Sequence, residues 1–136
     1  MEKTLILTNN VSEIDKLALF VEELASELNL PHDLVFNLNL VLEEAVSNVI
    51  LYAYPKDQTK EIYLLAKKID DNLLFILTDT GKEFDPTQMP NADITLEAEE
   101  RPIGGLGIYL IRQIMNTVEY NRINGKNVLT LTKQLN

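Results

Sequence analysis

The chain has 136 residues, 46% of them hydrophobic and 24% charged, with a formal net charge of −9 and no cysteine. This composition is typical of a globular chain large enough for one hydrophobic core, so we expect a single domain over residues 1–136. The lack of cysteine excludes disulfides, zinc–thiolate sites and thiol nucleophiles, and the acidic charge argues against direct binding to nucleic acid or anionic membranes.

The sequence shows no targeting segment. The N-terminus "MEKTLILTNN" has no basic stretch followed by a long apolar one. No window approaches the roughly 18 apolar residues that a membrane-spanning helix needs. We therefore expect a cytoplasmic location and no membrane partner.

Apolar periodicity and turn residues predict the secondary structure. The predicted elements are a strand at 4–8, helices at 11–30 and 33–53, strands at 61–69 and 73–79, a helix at 106–116, and closing strands at 118–123 and 127–135. The stretch between Pro86 and Gly104 has no clear period, which is typical of a functional lid or a disordered loop. Because strands and helices do not alternate, the order favours an α+β fold with helices on one face of a mostly antiparallel sheet.

The second helix carries a polar pair in apolar surroundings. At roughly 100° per residue, Glu44 and Asn48 lie one turn apart on a strip that apolar residues flank. A carboxylate in such a place is costly unless it has partners or opens onto a cleft. Spacing alone leaves two interpretations open. Glu44 is a half-exposed helix residue and Asn48 a satisfied core amide, or both line a cleft in which Glu44 takes a proton and the Asn48 oxygen holds Mg²⁺ beside phosphate oxygens.

Three of the five glycines, Gly104, Gly105 and Gly107, stand in "GGLG" directly before the predicted third helix. The free N–H groups and positive dipole end of a helix start favour phosphate, whereas the alternative is a flexible hinge. We favour phosphate binding because the motif closes a long loop and opens a helix. The motif is neither a dinucleotide-binding fingerprint nor a P-loop, since the preceding strand and the following Lys-Ser/Thr are missing.

The stretch "TDTGKEFDP" interrupts an apolar strand with polar residues. Asp79 at the strand end can accept a hydrogen bond from an amine, such as the exocyclic amine of adenine, and Gly81 would let the ring approach. Taken alone, a strand-terminating turn is the better interpretation of these residues.

Together, the three motifs resemble the Bergerat-fold (GHKL) ATPases, specifically their anti-sigma factor serine/threonine kinase branch. "EEAVSNVILYAY" (43–54) resembles the N box of that family, "DTGKEFDP" (79–86) its G1 box and "RPIGGLGIYLI" (101–111) its G2 box. The closing "GKNVLTLTK" (125–133) resembles the end of the family domain. The resemblance implies the histidine-kinase-like ATPase fold, a two-layer α/β sandwich with a mixed, mostly antiparallel sheet covered by helices on one face.

The resemblance also implies roles for single residues. Glu44 is implied as the general base, Asn48 as the Mg²⁺ ligand and Asp79 as the carboxylate that reads the adenine amino group. Residues 87–103 are implied as the lid over ATP. The other residues implied to bind ATP are Tyr52, Gly81, Phe84, Arg101, Gly104, Gly105, Leu106, Gly107, Ile108 and Thr130.

Two positions depart from the family pattern. Glu83 stands where the strict G1 box has a second glycine, and it brings negative charge near the mouth of the pocket. Tyr52 stands where the family often has histidine. Neither departure removes the implied ATP site.

The resemblance implies an ATP-dependent and Mg²⁺-dependent protein serine/threonine kinase that also acts as an anti-sigma factor. Its implied partners are a STAS-type antagonist, which it would phosphorylate on serine, a sigma factor, and a second copy of itself in a homodimer. One alternative is a nucleotide-dependent binding switch without phosphotransfer. A weaker alternative is the detached catalytic domain of a histidine kinase, against which the lack of a dimerisation helix with a phospho-accepting histidine counts.

Overall fold

The computed structural model of the chain describes residues 1–88 and 105–135, and of Gly105 and Leu106 it describes the backbone alone. The strands are Glu2–Thr8 (β1), Glu61–Ile69 (β2), Asn72–Asp79 (β3), Thr117–Ile123 (β4) and Lys126–Gln134 (β5). The helices are Asp15–Leu28 (α1), His32–Asn48 (α2) and Gly105–Ile114 (α3). Each predicted element is present, with bounds that differ by a few residues.

Local sequence signals explain where the first two helices begin and end. The Asn10 side chain accepts a hydrogen bond from the Ser12 backbone N–H and opens a short 3-10 turn before α1. Asn29 closes α1 in the left-handed conformation, with φ of 54°, which asparagine tolerates better than most residues. Pro31 then stands at the N-cap of α2, where its missing N–H costs nothing.

The five strands form one sheet in the order β1-β2-β3-β5-β4, and each of its four pairings is antiparallel. The β4–β5 hairpin turns at Asn124 and Gly125, which both have positive φ, as tight hairpin turns commonly require. In the β3–β5 pairing, Asp79 stands opposite Asn127. The expected α+β architecture with a mostly antiparallel sheet is confirmed.

The hydrophobic core lies between one face of the sheet and the three helices. Alternate residues of the strands point to the helices, which is why β3 alternates strictly between buried and less buried positions. The opposite face carries exposed side chains, among them Ile6 and Tyr63 on neighbouring strands. Fully buried core residues from both layers include Leu17, Leu24, Leu38, Leu42, Leu64, Phe75, Ile111 and Leu131.

The second helix continues without a break into a wider π-helical segment, Val49–Ala53. Among the described residues, the combined run His32–Ala53 is the one helix that is long and apolar enough to cross a membrane by length and composition, with a mean hydropathy of 1.5. The expectation that no window approaches this composition is therefore wrong. A buried core helix has the same composition, and this run contributes Leu38, Leu42 and Val46 to the core.

The core predicts a contrast between two phenylalanines. Replacing Phe75, which is fully buried, by alanine should lower the free energy of unfolding by about 3–5 kcal/mol, because it leaves a cavity. The same change at Phe36, which is 65% exposed on α2, should stay within about 0.5 kcal/mol. Urea unfolding of both variants checks this, and equal losses would contradict the assigned core.

Candidate functional site

The polar pair of α2 lies at the inner side of the helix. Glu44 is half-buried, and Asn48, one turn later, is only 3% exposed. Within the described part of the chain, the Asn48 side-chain nitrogen is buried without a hydrogen-bond partner. A buried polar group left unpaired costs about 1–3 kcal/mol, so this amide is suited to a ligand that would complete it. Asn48 is therefore not a satisfied core amide among these residues.

Glu44 lies against the first turn of α3. A Cβ built on Gly107 would stand 2.5 Å from Oε2 of Glu44 and 3.3 Å from its Cβ. A side chain at position 107 would therefore displace the Glu44 carboxylate from its place against α3. Burial raises the pKa of the Glu44 carboxyl above its ordinary value, and the negative charge of Glu43 raises it further. The group is thus a stronger proton acceptor than a solvated glutamate.

The first turn of α3 begins at Gly105 and places a helix N-terminus beside Glu44. The first four N–H groups of a helix have no partner within it and carry its positive dipole end. Ile108 was expected among the ATP contacts, but its side chain is fully buried in the core. The Ile108 side chain thus packs in the core, and a contact of this residue with ATP stays a prediction.

Asp79 ends β3 as a buried carboxylate, with 2% of its surface exposed. Its Oδ1 accepts hydrogen bonds from the Gly81 backbone N–H and from Asn127 Nδ2, both at 2.9 Å. Burial raises the pKa of Asp79, while Asn127, Gly81 and the charge of Arg122 act in the opposite direction. These contacts use Oδ1, which leaves Oδ2 as the oxygen suited to a ligand.

Gly81 lies where the loop after β3 contacts the end of the π-helical segment. A Cβ at this position would be 2.7 Å from the carbonyl carbon of Ala53 and 2.8 Å from its Cβ, so no side chain fits. The next residue, Lys82, donates its backbone N–H to the Ala53 carbonyl oxygen at 2.9 Å. Gly81 is thus needed for close backbone packing, and the loop conformation depends on this packing.

Tyr54 also binds the loop after β3, through its hydroxyl group. Its hydroxyl accepts a hydrogen bond from the Thr80 backbone N–H and donates one to the Glu61 carbonyl oxygen, both at 2.8 Å. The π-helical winding of Val49–Ala53 precedes Tyr54 directly. Single π-helical turns often occur at functional sites. The π-helical winding was not predicted, because over a single turn the spacing of apolar residues does not distinguish a π-helix from an α-helix. The role of Tyr54 was not predicted either, because its partners Glu61 and Thr80 lie in other segments of the chain.

The segments 43–54 and 79–86 meet around a small cavity between α2 and the end of the sheet. Of the predicted residues, Asn48, Asp79 and Phe84 line it. Tyr120 and Asn127 line it as well, although the sequence analysis did not single them out. No local sequence signal marks Asn127, because its place opposite Asp79 depends on the strand register. The remaining lining residues are Ala45, Val49, Leu77, Pro86 and Leu129.

Tyr52 lies beside this cavity without lining it. Its ring packs against that of Phe84, with centroids 5.2 Å apart and a tilt of 33°. Tyr52 faces the adjacent groove, which Gly81 and Lys82 also line. Glu83 is exposed, and its negative charge helps to raise the pKa of Tyr120, for which burial is the larger cause. The charge of Glu83 thus does act near the cavity, as expected.

Thr130 lies on the wrong face of the sheet for the role implied for it. In β5 the residues Asn127, Leu129 and Leu131 point to the helices, while Thr130 lies between the two leucines on the other face, opposite Ile76. The face it occupies is the one that the helices leave uncovered. The prediction that Thr130 contacts adenine is therefore corrected, and Asn127 is the polar β5 residue at the cavity.

The predicted lid, 87–103, lies mostly outside the described residues, as do Arg101 and Gly104. Its first two residues belong to a 3-10 turn, Pro86–Gln88. There, Asp85 Oδ1 accepts a hydrogen bond from the Thr87 backbone N–H, and the Arg112 guanidinium of α3 donates to the Thr87 carbonyl oxygen. The beginning of the segment is thus attached to α3.

Comparisons with known protein sequences agree with this geometry. The sequence profile of the family described as histidine kinase-like ATPase domain matches residues 7–133. The chain is 30% identical over 97 residues to a serine/threonine-protein kinase BtrW of Bordetella bronchiseptica, a match that covers 71% of this chain and 68% of that protein. It is 28% identical over 115 residues to a serine-protein kinase RsbW of Bacillus cereus, covering 82% of this chain and 71% of the relative.

Two solved structures share the fold. The RsbU and RsbW domains of a Mycobacterium tuberculosis protein match with a TM-score of 0.71 and 15% identity over 99% of this chain. This chain spans only 32% of that mycobacterial chain. A histidine kinase domain of a blue-light activated kinase from Erythrobacter litoralis matches with a TM-score of 0.57 and 12% identity, over 92% of this chain and 60% of the other.

The raised pKa of Glu44 predicts a pH-dependent effect of Glu44→Gln on stability. A carboxyl with a raised pKa in the folded state binds its proton more tightly there, so stability falls as pH rises above the ordinary value of 4.5. Glutamine removes this dependence. The free energy of unfolding of Glu44→Gln, relative to wild type, should therefore increase between pH 4.5 and pH 8.

Urea unfolding across this pH range measures the effect. Glu22→Gln, at an exposed glutamate of α1, is the matched control and should show no such trend. A pH-independent difference for Glu44→Gln would show that burial does not act on this carboxylate.

Proposed function

This chain belongs to the histidine kinase-like ATPase domain family, and we propose that within it the chain acts as an ATP-dependent protein serine/threonine kinase and anti-sigma regulatory factor. The observation that carries the proposal is the contact of Glu44 with Gly107 at the start of α3, one helical turn from Asn48 at the cavity. It places a proton-accepting carboxylate beside a helix N-terminus suited to phosphate. The printed names of two relatives, both protein kinases, support the same function.

The lining of the cavity, and not its volume of about 20 Å³ in this structure, suits an adenine base. Asp79 Oδ2 can accept a hydrogen bond from the exocyclic amine, while Gly81 keeps the loop close to the helix end. The apolar walls include Val49, Leu77 and Leu129, which match the flat faces of a purine. In this arrangement ATP lies with its base at the sheet end and its phosphates toward α3.

Asn48 is suited to Mg²⁺. Its side-chain amide is buried at the cavity, and its nitrogen has no partner in the described part of the chain, so the amide lacks a ligand; the motif resemblance supports its oxygen as the atom that would hold the cation. Magnesium usually keeps waters and phosphate oxygens and takes few protein ligands, which a single amide oxygen fits. When bound, Mg²⁺ would neutralise charge on the transferred phosphoryl group.

Glu44 is proposed as the general base. Its raised pKa makes it a better acceptor of the serine hydroxyl proton, and the first turn of α3 holds the phosphate end of ATP beside it. Gly107 has no side chain and therefore leaves room for the carboxylate against α3. The products are phosphoserine on the acceptor protein and ADP.

We further propose the acceptor to be a STAS-type antagonist and the regulated partner to be a sigma factor. The relatives are named serine-protein kinases, which supports a protein serine as acceptor, and the motif resemblance supports the two partner classes. The net charge of −9 supports protein partners over direct binding to nucleic acid and is consistent with a cytoplasmic protein without a membrane partner.

A homodimer is proposed as the working form. The sheet face away from the helices presents Ile6, 49% exposed, next to Tyr63, 40% exposed, and Leu65, Ile76 and Val128 lie on the same face. Apolar side chains on an uncovered sheet face are suited to packing against a second sheet. A second copy of the chain offers the same surface.

The kinase proposal predicts the effect of Glu44→Gln on transfer. Wild type with Mg-ATP and a purified STAS-type antagonist should give phosphoserine, and Glu44→Gln should transfer roughly 10²–10⁴-fold more slowly because the proton acceptor is lost. ATP binding should be retained. Labelled phosphate on the antagonist and calorimetric titration of ATP measure the two quantities, with Glu22→Gln as control.

Two outcomes would contradict the proposed mechanism. Full activity of Glu44→Gln would remove Glu44 from the role of base. Nucleotide-dependent binding of the antagonist without any phosphoprotein would favour the alternative, a binding switch without phosphotransfer.

The dimer proposal predicts that charge on the uncovered sheet face separates the subunits. The double variant Ile6→Lys, Tyr63→Lys should sediment as a monomer, since it places two like charges on paired positions of β1 and β2. Leu19→Lys, at an exposed position of α1, should leave the dimer intact. A wild-type chain that sediments as a monomer at high concentration would contradict the dimer.

A further inference from the structure

Asn127 is the centre of a hydrogen-bond network that joins four segments of the chain. Its Nδ2 donates to Asp79 Oδ1 at 2.9 Å and to the Lys82 carbonyl oxygen at 2.8 Å. Its Oδ1 accepts from the Phe84 backbone N–H at 3.2 Å, the Tyr120 hydroxyl at 2.5 Å and Arg122 Nη1 at 3.0 Å. The side chain is 5% exposed, so these contacts lie largely out of water.

The partners determine which way the amide points. Both hydrogens of Nδ2 are donated to acceptors, and the groups around Oδ1 include a backbone N–H and a guanidinium, which can only donate. Turning the amide over would set its oxygen against the Asp79 carboxylate and its NH₂ against Arg122. The observed orientation is therefore the only one that satisfies every partner.

This orientation acts directly on Asp79. The carboxylate is held through Oδ1 by Asn127 and by the Gly81 N–H, so it cannot rotate without losing both bonds. The same amide binds Lys82 and Phe84, the residues that follow Gly81 in the loop. Arg122 adds a bond from Nη1 to the Gly81 carbonyl oxygen at 2.9 Å. The network thus couples the position of one carboxylate oxygen to the conformation of the whole loop.

We propose that Asn127 is a positioning residue for base specificity: it locks the Asp79 carboxylate so that only Oδ2 faces the cavity and selects a ligand with an amine donor. The inference deepens the proposed function, since it rests on ATP being the ligand of this cavity. The asparagine amide suits this position because its NH₂ donates to both Asp79 and the Lys82 carbonyl oxygen, while its oxygen accepts from Arg122. An ionised aspartate supplies no donor and a hydroxyl supplies only one, so neither can replace both donated bonds.

Two nucleotides separate the positioning role from general stability. Inosine triphosphate carries a carbonyl oxygen where ATP has its exocyclic amine, so a locked Asp79 should repel it. Wild type should prefer ATP. In Asn127→Ala the carboxylate keeps its bond from the Gly81 N–H but loses its other partner at Oδ1, so its orientation is less restricted and the ratio of ATP to inosine triphosphate affinity should fall about tenfold. A purely structural role would lower both affinities equally and leave the ratio unchanged.

The pH dependence of Asn127→Asp gives a second readout. The aspartate would face Asp79 across a distance that is 2.9 Å in wild type, so the two carboxyls should share one proton and repel when both ionise. At pH 8 the variant should bind ATP roughly tenfold more weakly, with recovery toward pH 5.5, where the pair holds its proton.

Other titratable groups lie near this position. They are Tyr120 and Arg122 on β4, with Glu83 and Asp85 in the loop, whose charges act on Tyr120. Asn121→Asp makes the same charge change at an exposed position of β4. Comparing the two variants at each pH cancels the titration of the nucleotide phosphates and of these groups.

Thermal melts identify the variants that fold. If an Asn127 variant does not fold, Tyr120→Phe carries the test, because it removes one donor to Asn127 Oδ1 and should lower the nucleotide ratio in the same direction by a smaller factor. An unchanged ratio in the folded variants, together with a flat pH profile for Asn127→Asp, would overturn the proposal.

The outcomes also separate this inference from the proposed function. A wild-type chain that does not bind ATP would overturn both. A chain that prefers ATP through Asn127 but makes no phosphoprotein would support the inference and overturn the kinase proposal.

Discussion

The burial of the Asp79 carboxylate is the constraint on which the site depends. A carboxylate that is 2% exposed is costly unless donors surround it, and here Gly81 and Asn127 supply them. Those donors are available only if the loop folds back onto Ala53 and if β5 pairs with β3 in the observed register. The packing of the loop, the register of the sheet and the orientation of one carboxylate oxygen are therefore interdependent.

The other half of the site depends on a contact between two helices. Gly107 lets α3 approach α2 so closely that the Glu44 carboxylate lies between them, partly removed from water. Full exposure to water would stabilise the charged form of Glu44 but would make it a poorer proton acceptor. Functional sites commonly retain groups whose environment is unfavourable for the stability of the fold. Asn48 lies on the same helix as Glu44 and lines the cavity of Asp79, so it connects the two halves.

Several features could be predicted because they depend on neighbours in the sequence. The helices follow from apolar spacing, the β4–β5 turn from Asn124 and Gly125, and the polar pair from one turn of α2. Thr130 was placed wrongly, because position in a motif does not state which face of a strand a side chain occupies. The family is confirmed by the match over residues 7–133.

The order of the elements and the family could be read from the sequence, as could the positions of Glu44, Asn48 and Asp79, since periodicity and short motifs are local properties. The place of Asn127 in the site follows from the three-dimensional fold. That residue lies 48 positions after Asp79 and becomes its partner through strand register alone, because hydrogen bonds join atoms that are close in space whatever their separation in the chain.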